Sequence, residues 1–140
     1  MKPTKNYILD DQVGHLLRKV NQRHTGLFSD LMHSDLTPTR FAAMTRLLEH
    51  GSLSQNELGR MTAMDIATIK GVVDRLRERQ FIESKKDPKD ARRQLISLTR
   101  KGERMIKAAI PVAQEVTSKT VEPLTSLETK QLVQLLKKIM

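Results

Sequence analysis

The feature that most constrains this chain is a run of local signals between residues 52 and 82, SLSQNELGRMTAMDIATIKGVVDRLRERQFI. Ser54 followed three residues later by Glu57 is a capping box, which predicts a short helix over residues 55–61. Residues 62–64 leave room for only a brief turn. Asp65 then caps a second helix reaching about residue 80. Ile66, Ile69, Val72, Val73 and Leu76 recur at helical spacing and are expected on its buried side. The opposite side presents Ala67, Thr68, Gly71, Asp74, Arg75 and Glu78. A short helix, a tight turn and a second helix with small outward residues make the helix-turn-helix pattern.

Residues beyond the second helix sharpen this pattern. Residues 81–86 and 93–98 have strand character, and DPKDAR between them is turn-forming. The expected product is a β-hairpin directly after the second helix, a winged helix-turn-helix. Lys85, Lys86, Lys89, Arg92 and Arg93 would project from the wing, within reach of a phosphate backbone or minor groove. Solvated turn charge is the other reading.

Both flanks are helical. Residues 10–33 carry Val13, Leu16, Leu17, Val20, Leu27, Phe28 and Leu31 at amphipathic spacing, with Asp10 as the expected N-cap. Thr37-Pro38 starts another helix, with Phe41, Met44, Leu47 and Leu48 as its buried stripe and Gly51 as its end. Thr99 is expected to cap a fifth helix that tolerates Gly102 and is interrupted at Pro111. Thr125 and Glu128 form a further capping box ahead of LVQLLKKI. The fold class is mainly α with a small β-hairpin wing, the helices of both termini flanking a basic centre.

Charge points to the partner. The chain is +9 over 140 residues, and residues 60–104 hold thirteen Lys and Arg against seven Asp and Glu. The excess therefore sits on the hairpin and the helix pair, as a polyanion-binding surface requires. With 38% hydrophobic and 29% charged residues the chain suits a globular domain. It lacks cysteine, its four histidines show no metal-ligand spacing, and no glycine-rich phosphate loop is present. Neither a cofactor nor enzymatic chemistry is implied. No apolar run is long enough for a membrane span, and the sequence MKPTKNYILDD lacks a secretory apolar core, so a cytoplasmic, nucleoid-associated location is expected.

These residues together resemble the MarR family of winged-helix transcription regulators. DARRQLISLTRKG is similar to the family's wing signature, with Asp90, Arg92, Leu98, Thr99 and Gly102 as the matching residues. The helix-turn-helix agrees in length and apolar pattern, and the likeness covers nearly the whole chain. LDDQVGHLLRKVNQRH and AMDIATIKGVVDRL look closest to members that govern the breakdown of aromatic acids such as benzoate, hydroxycinnamate or nicotinate derivatives. The resemblance implies a single domain over residues 1–140. Residues 1–35 and 103–140 would form the dimerisation helices and residues 36–102 the DNA-binding part. It also implies a homodimer on a pseudo-palindromic double-stranded operator, with repression relieved by a small phenolic or aromatic carboxylate.

Carried over by position, Ala67, Thr68 and Gly71 would face base edges. Gly71 stands where some relatives have Arg, so closer backbone approach, Lys70 or Arg75 would take over that contact. Arg92 matches the wing arginine, with Lys89 and Arg93 beside it; Asp90 would orient a neighbouring arginine. For the effector, His24 is either a core histidine with one satisfied hydrogen bond or pocket lining. Arg40 is either a carboxylate partner or a surface arginine, and His15 faces a dimer partner or solvent. Phe41, Met44 and Thr45 complete the implied lining. Competing readings are a ligand-independent DNA-binding protein and a winged-helix protein-interaction module; an enzyme is the poorest fit.

Overall fold

A computed structural model describes residues 6–140, and they fall into two compact units. One unit comprises residues 32–113; the other joins the N-terminal segment through Leu31 to residues 114–140. The first five residues of the expected N-terminal dimerisation segment lie outside the described residues.

In the unit of residues 32–113, α2 (Pro38–His50) starts where expected. The Thr37 side chain accepts from the Arg40 amide at 3.3 Å, and Pro38 occupies the first turn, where no amide is needed. Gly51 ends the helix at φ 84°, donating its amide to the Leu47 carbonyl at 2.8 Å. Next come β1 (Ser52–Leu53), α3 (Gln55–Met61) and α4 (Ile66–Glu78). Ser54 caps α3 by accepting from the Glu57 amide, but the Glu57 carboxylate accepts from the Ser54 hydroxyl instead of the cap amide. Asp65 caps α4 by accepting from the Thr68 amide at 2.7 Å. Ala43, Met44, Leu47, Leu58, Ile69, Val73, Leu76 and Ile106 are buried and form the centre of this unit's core.

The wing is a three-stranded antiparallel sheet ordered β1-β3-β2, with β2 spanning Ile82–Asp87 and β3 Asp90–Leu98. The hairpin expected from sequence lacks β1, which pairs Ser52 with Ser97 and Leu53 with Ile96. Two residues are too few for alternation to show. The turn is also tighter than DPKDAR: Asp87 pairs with Asp90, and the Asp87 carboxylate accepts from the Lys89 amide at 2.9 Å. Register shifts between Lys86↔Gln94 and Asp87↔Asp90, so Ala91, Arg92 and Arg93 bulge from the ladder.

The passage from α4 into the wing is a Schellman motif. Phe81 donates its amide to the Leu76 carbonyl at 3.0 Å and Gln80 donates to Arg77 at 2.9 Å. Gln80 holds the left-handed conformation this requires, at φ 61°. The start of α5 (Arg100–Thr120) closes on the same place. Thr99 accepts from the Gly102 amide at 3.0 Å and donates its hydroxyl to the Gln80 carbonyl at 2.6 Å. Gly102 lies so close to Phe81 that a Cβ would fall on its carbonyl. Pro111 does not interrupt α5, which runs unbroken past it; a proline removes one helical hydrogen bond and the surrounding turns persist.

In the other unit, α1 spans Val13–Leu31, two residues short of the expected end. Asp10 is not its cap. It lies in a 3-10 turn, Leu9–Asp11, with its carboxylate 3.6 Å from His15 Nε2. Arg23 of α1 donates to the carbonyls of Lys119 and Thr120, satisfying the open C-terminal end of α5. The Thr125–Glu128 capping box of α6 (Ser126–Lys138) forms as expected. Much of this unit's apolar surface stays uncovered, including Leu16, Leu17, Val20, Leu127, Leu132, Val133, Leu135 and Leu136.

Candidate nucleic-acid interface

The exposed face of α4 is built from small and polar residues. Ala67, Thr68, Lys70 and Gly71 are all exposed, and a Cβ placed on Gly71 would meet nothing within 4 Å. Asp74 and Arg75 are half-buried at the edge of this face. Ile69, Val72, Val73 and Leu76 turn inward as expected, but Ile66 does not: it is 79% exposed. Its spacing matches Ile69, yet the first turn projects beyond the packed part of the helix.

Electrostatics sort the basic residues. Lys70 donates to Asp74 at 2.7 Å, and this hydrogen bond holds the Asp74 carboxyl below the usual carboxylate range. Arg75 pairs with Glu78 at 3.3 Å. Exposed pairs of this kind contribute little, so both cations are free to exchange their partners for phosphates. Asp65 is likewise held below its ordinary range, by hydrogen bonds from the Thr68 side chain and amide. A depressed carboxyl contributes stability above its unfolded pKa and loses it only as pH falls through the lower folded value. The cap of α4 is therefore intact at neutral pH.

On the wing, Arg92 is the freest arginine of the bulge, with its side chain 93% exposed. Asp90 accepts from the Arg92 amide at 3.0 Å and lies 3.5 Å from its Nε, so the carboxylate sits where it can orient the guanidinium. Lys85, Lys86 and Lys89 are exposed. Arg93 is different: it is drawn back into an ion pair with Glu57 of α3, with Asp87 4.0 Å away. The sequence placed Arg93 with the projecting cations because Glu57 approaches it only through tertiary packing.

Residues not singled out from sequence join this face. Asn56, Arg60 and Met64, with Asp65, Ile66 and Ala67, line an open cleft of about 590 Å³ beside the start of α4. Arg60 falls in the short helix, where sequence offered no signal beyond its charge.

The expected effector residues belong to both units. In the unit formed by the terminal segments, His24 Nδ1 lies 2.8 Å from the Thr120 hydroxyl. That hydroxyl already donates to the Val116 carbonyl, so it accepts from His24, and Nδ1 carries the proton. His24 is thus a half-buried histidine with one satisfied hydrogen bond and Nε2 left over. His15 sits beside Asp10. In the unit of residues 32–113, Arg40 donates to the Asp35 carbonyl at 2.9 Å, and Thr45 donates to the Phe41 carbonyl at 2.8 Å. Phe41 is half-buried, whereas Met44 is wholly buried and serves the core. A small apolar cleft of about 130 Å³ in this unit, lined by Met32, His33, Ser34, Met105, Ala109 and Val112, contains none of the expected residues.

Comparison with known proteins agrees with this geometry. Residues 36–93 match the MarR family. The chain is 38% identical over 134 residues to the HTH-type transcriptional repressor NicR of Pseudomonas putida, covering 95% of this chain and 85% of that one. The crystal structure of a "probable transcriptional regulator" from Pseudomonas aeruginosa superposes with a TM-score of 0.92 at 45% identity, covering 95% of this chain and 100% of that one. BpsR of Bordetella bronchiseptica, whose DNA binding is regulated by 6-hydroxynicotinic acid, superposes with a TM-score of 0.91 at 35% identity, covering 95% and 96%.

Proposed function

The chain belongs to the MarR family of transcription regulators, and we propose that it is a homodimeric repressor that a small aromatic carboxylate or phenol releases from a pseudo-palindromic operator. Like its relatives it is a regulator and not an enzyme. The observation that carries the DNA-binding part is the exposed Ala67–Thr68–Gly71 face followed in the chain by a wing that holds Arg92 fully out. Small residues let a helix sink into a major groove, and an extended arginine suits the neighbouring phosphates or minor groove. Lys70, Arg75 and Lys89 add phosphate contacts; Asp90 positions Arg92, and Arg93 holds the wing against α3 through Glu57.

Dimerisation is assigned to residues 1–35 and 103–140 and DNA binding to residues 36–102. Leu127 and Leu135, 65% and 61% exposed on α6, support that division, because a single chain leaves them in water. Two reading heads must then sit about 34 Å apart, one turn of duplex. An effector acts only by favouring the state with the wrong spacing. His24 with its spare Nε2, His15, Arg40, Phe41 and Thr45 are candidate effector contacts, as is the His33–Ser34 edge of the apolar cleft. Met44 would line such a site only from within the core, where it is buried.

The experiment is gel retardation of duplexes enriched from a random pool, repeated with 6-hydroxynicotinate, benzoate and hydroxycinnamate. Loss of retardation with at least one acid supports the whole reading. Unchanged affinity with all three removes the effector, and no enriched duplex even in dilute salt removes DNA binding.

A further inference from the structure

We infer that Ile66 is a specificity-determining residue that reads the 5-methyl group of a thymine in the major groove; the inference rests on the DNA-binding reading above. Ile66 is the one large apolar residue of α4 left in solvent, at 79% exposure, while Ile69, Val72, Val73 and Leu76 are all at 7% or less. It occupies the first helical position after the Asp65 cap. Folding does not call for isoleucine there. A β-branched side chain gains nothing for an exposed helix start, and an acidic residue would complement the helix dipole better. Beyond the Asp65 cap, whose carboxylate is engaged by Thr68, the first turn of α4 holds no acid.

The surroundings fit a groove floor. Ile66 shares its open cleft with Asn56, Arg60, Met64, Asp65 and Ala67, an apolar patch edged by a cation, an amide and the capping carboxylate. Ala67, Thr68 and Gly71 extend the same exposed surface without bulk. Residues at the start of a groove-bound helix are the ones that meet base edges. In the major groove the only apolar group among those edges is the thymine methyl, which separates T·A from every other pair. An isoleucine with no hydrogen-bonding atom can recognise that group and nothing else there.

The test uses the full-length chain and duplexes enriched from a random pool, with each thymine replaced singly by deoxyuridine, which removes the methyl and keeps every hydrogen bond. One thymine in each half-site should stand out. Its replacement should weaken wild-type binding roughly fourfold, the worth of one buried methyl-sized group. Ile66→Ala, which removes the contact from both half-sites, should bind the thymine duplex about as weakly as wild type binds a duplex with both of these thymines replaced. The variant should itself be indifferent to that replacement. Because Ile66 is exposed, Ile66→Ala removes no core contact. Wild-type binding indifferent to every deoxyuridine, or an Ile66→Ala variant with undiminished sensitivity, would overturn the inference while leaving DNA binding intact. Failure to enrich any duplex would overturn the DNA-binding reading and this inference together.

Discussion

The Thr99 hydroxyl donates a 2.6 Å hydrogen bond to the Gln80 carbonyl, tying the residue that ends α4 to the one that starts α5. Both ends of the wing are thereby fixed to one point, and Gln80 is held there at φ 61°. An L-residue in that conformation costs about 1–2 kcal/mol, part of which glycine returns as freedom in the unfolded chain. Gln80→Gly should therefore raise stability by about 0.5–1 kcal/mol. Urea unfolding should show a higher midpoint with the same m-value; a lower midpoint would mean that the glutamine side chain contributes more than its strain costs.

Gly102 faces the other half of that joint. Because a Cβ would land on the Phe81 carbonyl, backbone must move to admit it. Gly102→Ala should lose about 1–3 kcal/mol, the usual cost of overpacking, despite alanine's better helix propensity. Chemical denaturation reads this directly, and an unchanged midpoint would contradict the close approach.

Gly71 predicts the opposite pairing of effects. Its Cβ would meet open space, so Gly71→Ala should stabilise the chain by up to about 1 kcal/mol. If α4 lies deep in a groove, the added methyl should nevertheless weaken operator binding. Unfolding and retardation of the same variant test both halves; higher stability with unaltered affinity would remove the close backbone approach.

Arg92 and Arg93 are neighbours with different expected roles. Arg92→Ala should weaken binding across many sequences and lower the salt slope by about one for each protomer bound. Arg93→Ala breaks the link to Glu57, so it should reduce stability and affinity together while leaving the salt slope near the wild-type value. Binding measured from low to moderate salt separates them, and equal slopes for the two variants would contradict the assignment.

The local parts of this fold were readable because their causes are local. Thr37, Ser54, Asp65 and Thr125 each cap the helix that their sequence position announced. Strand β1 and the Arg93–Glu57 pair were not readable, since each depends on a distant segment, and the bulge at Ala91–Arg92–Arg93 follows from a turn tighter than DPKDAR suggests. Ile66 shows the limit of periodicity: spacing assigns a face, but only packing decides how far along the helix that face is covered. Effector residues suffer most. The apolar cleft draws Met32 and His33 together with Met105 and Ala109, which no sequence window contains.

The most direct measurement is sedimentation of the purified full-length chain, alone and with an enriched duplex carrying two half-sites. A homodimeric operator-binding protein should show a mass of two chains in free solution and two chains on each duplex, with half-sites one helical turn apart. A single-chain species that leaves the duplex unshifted at low salt would contradict it.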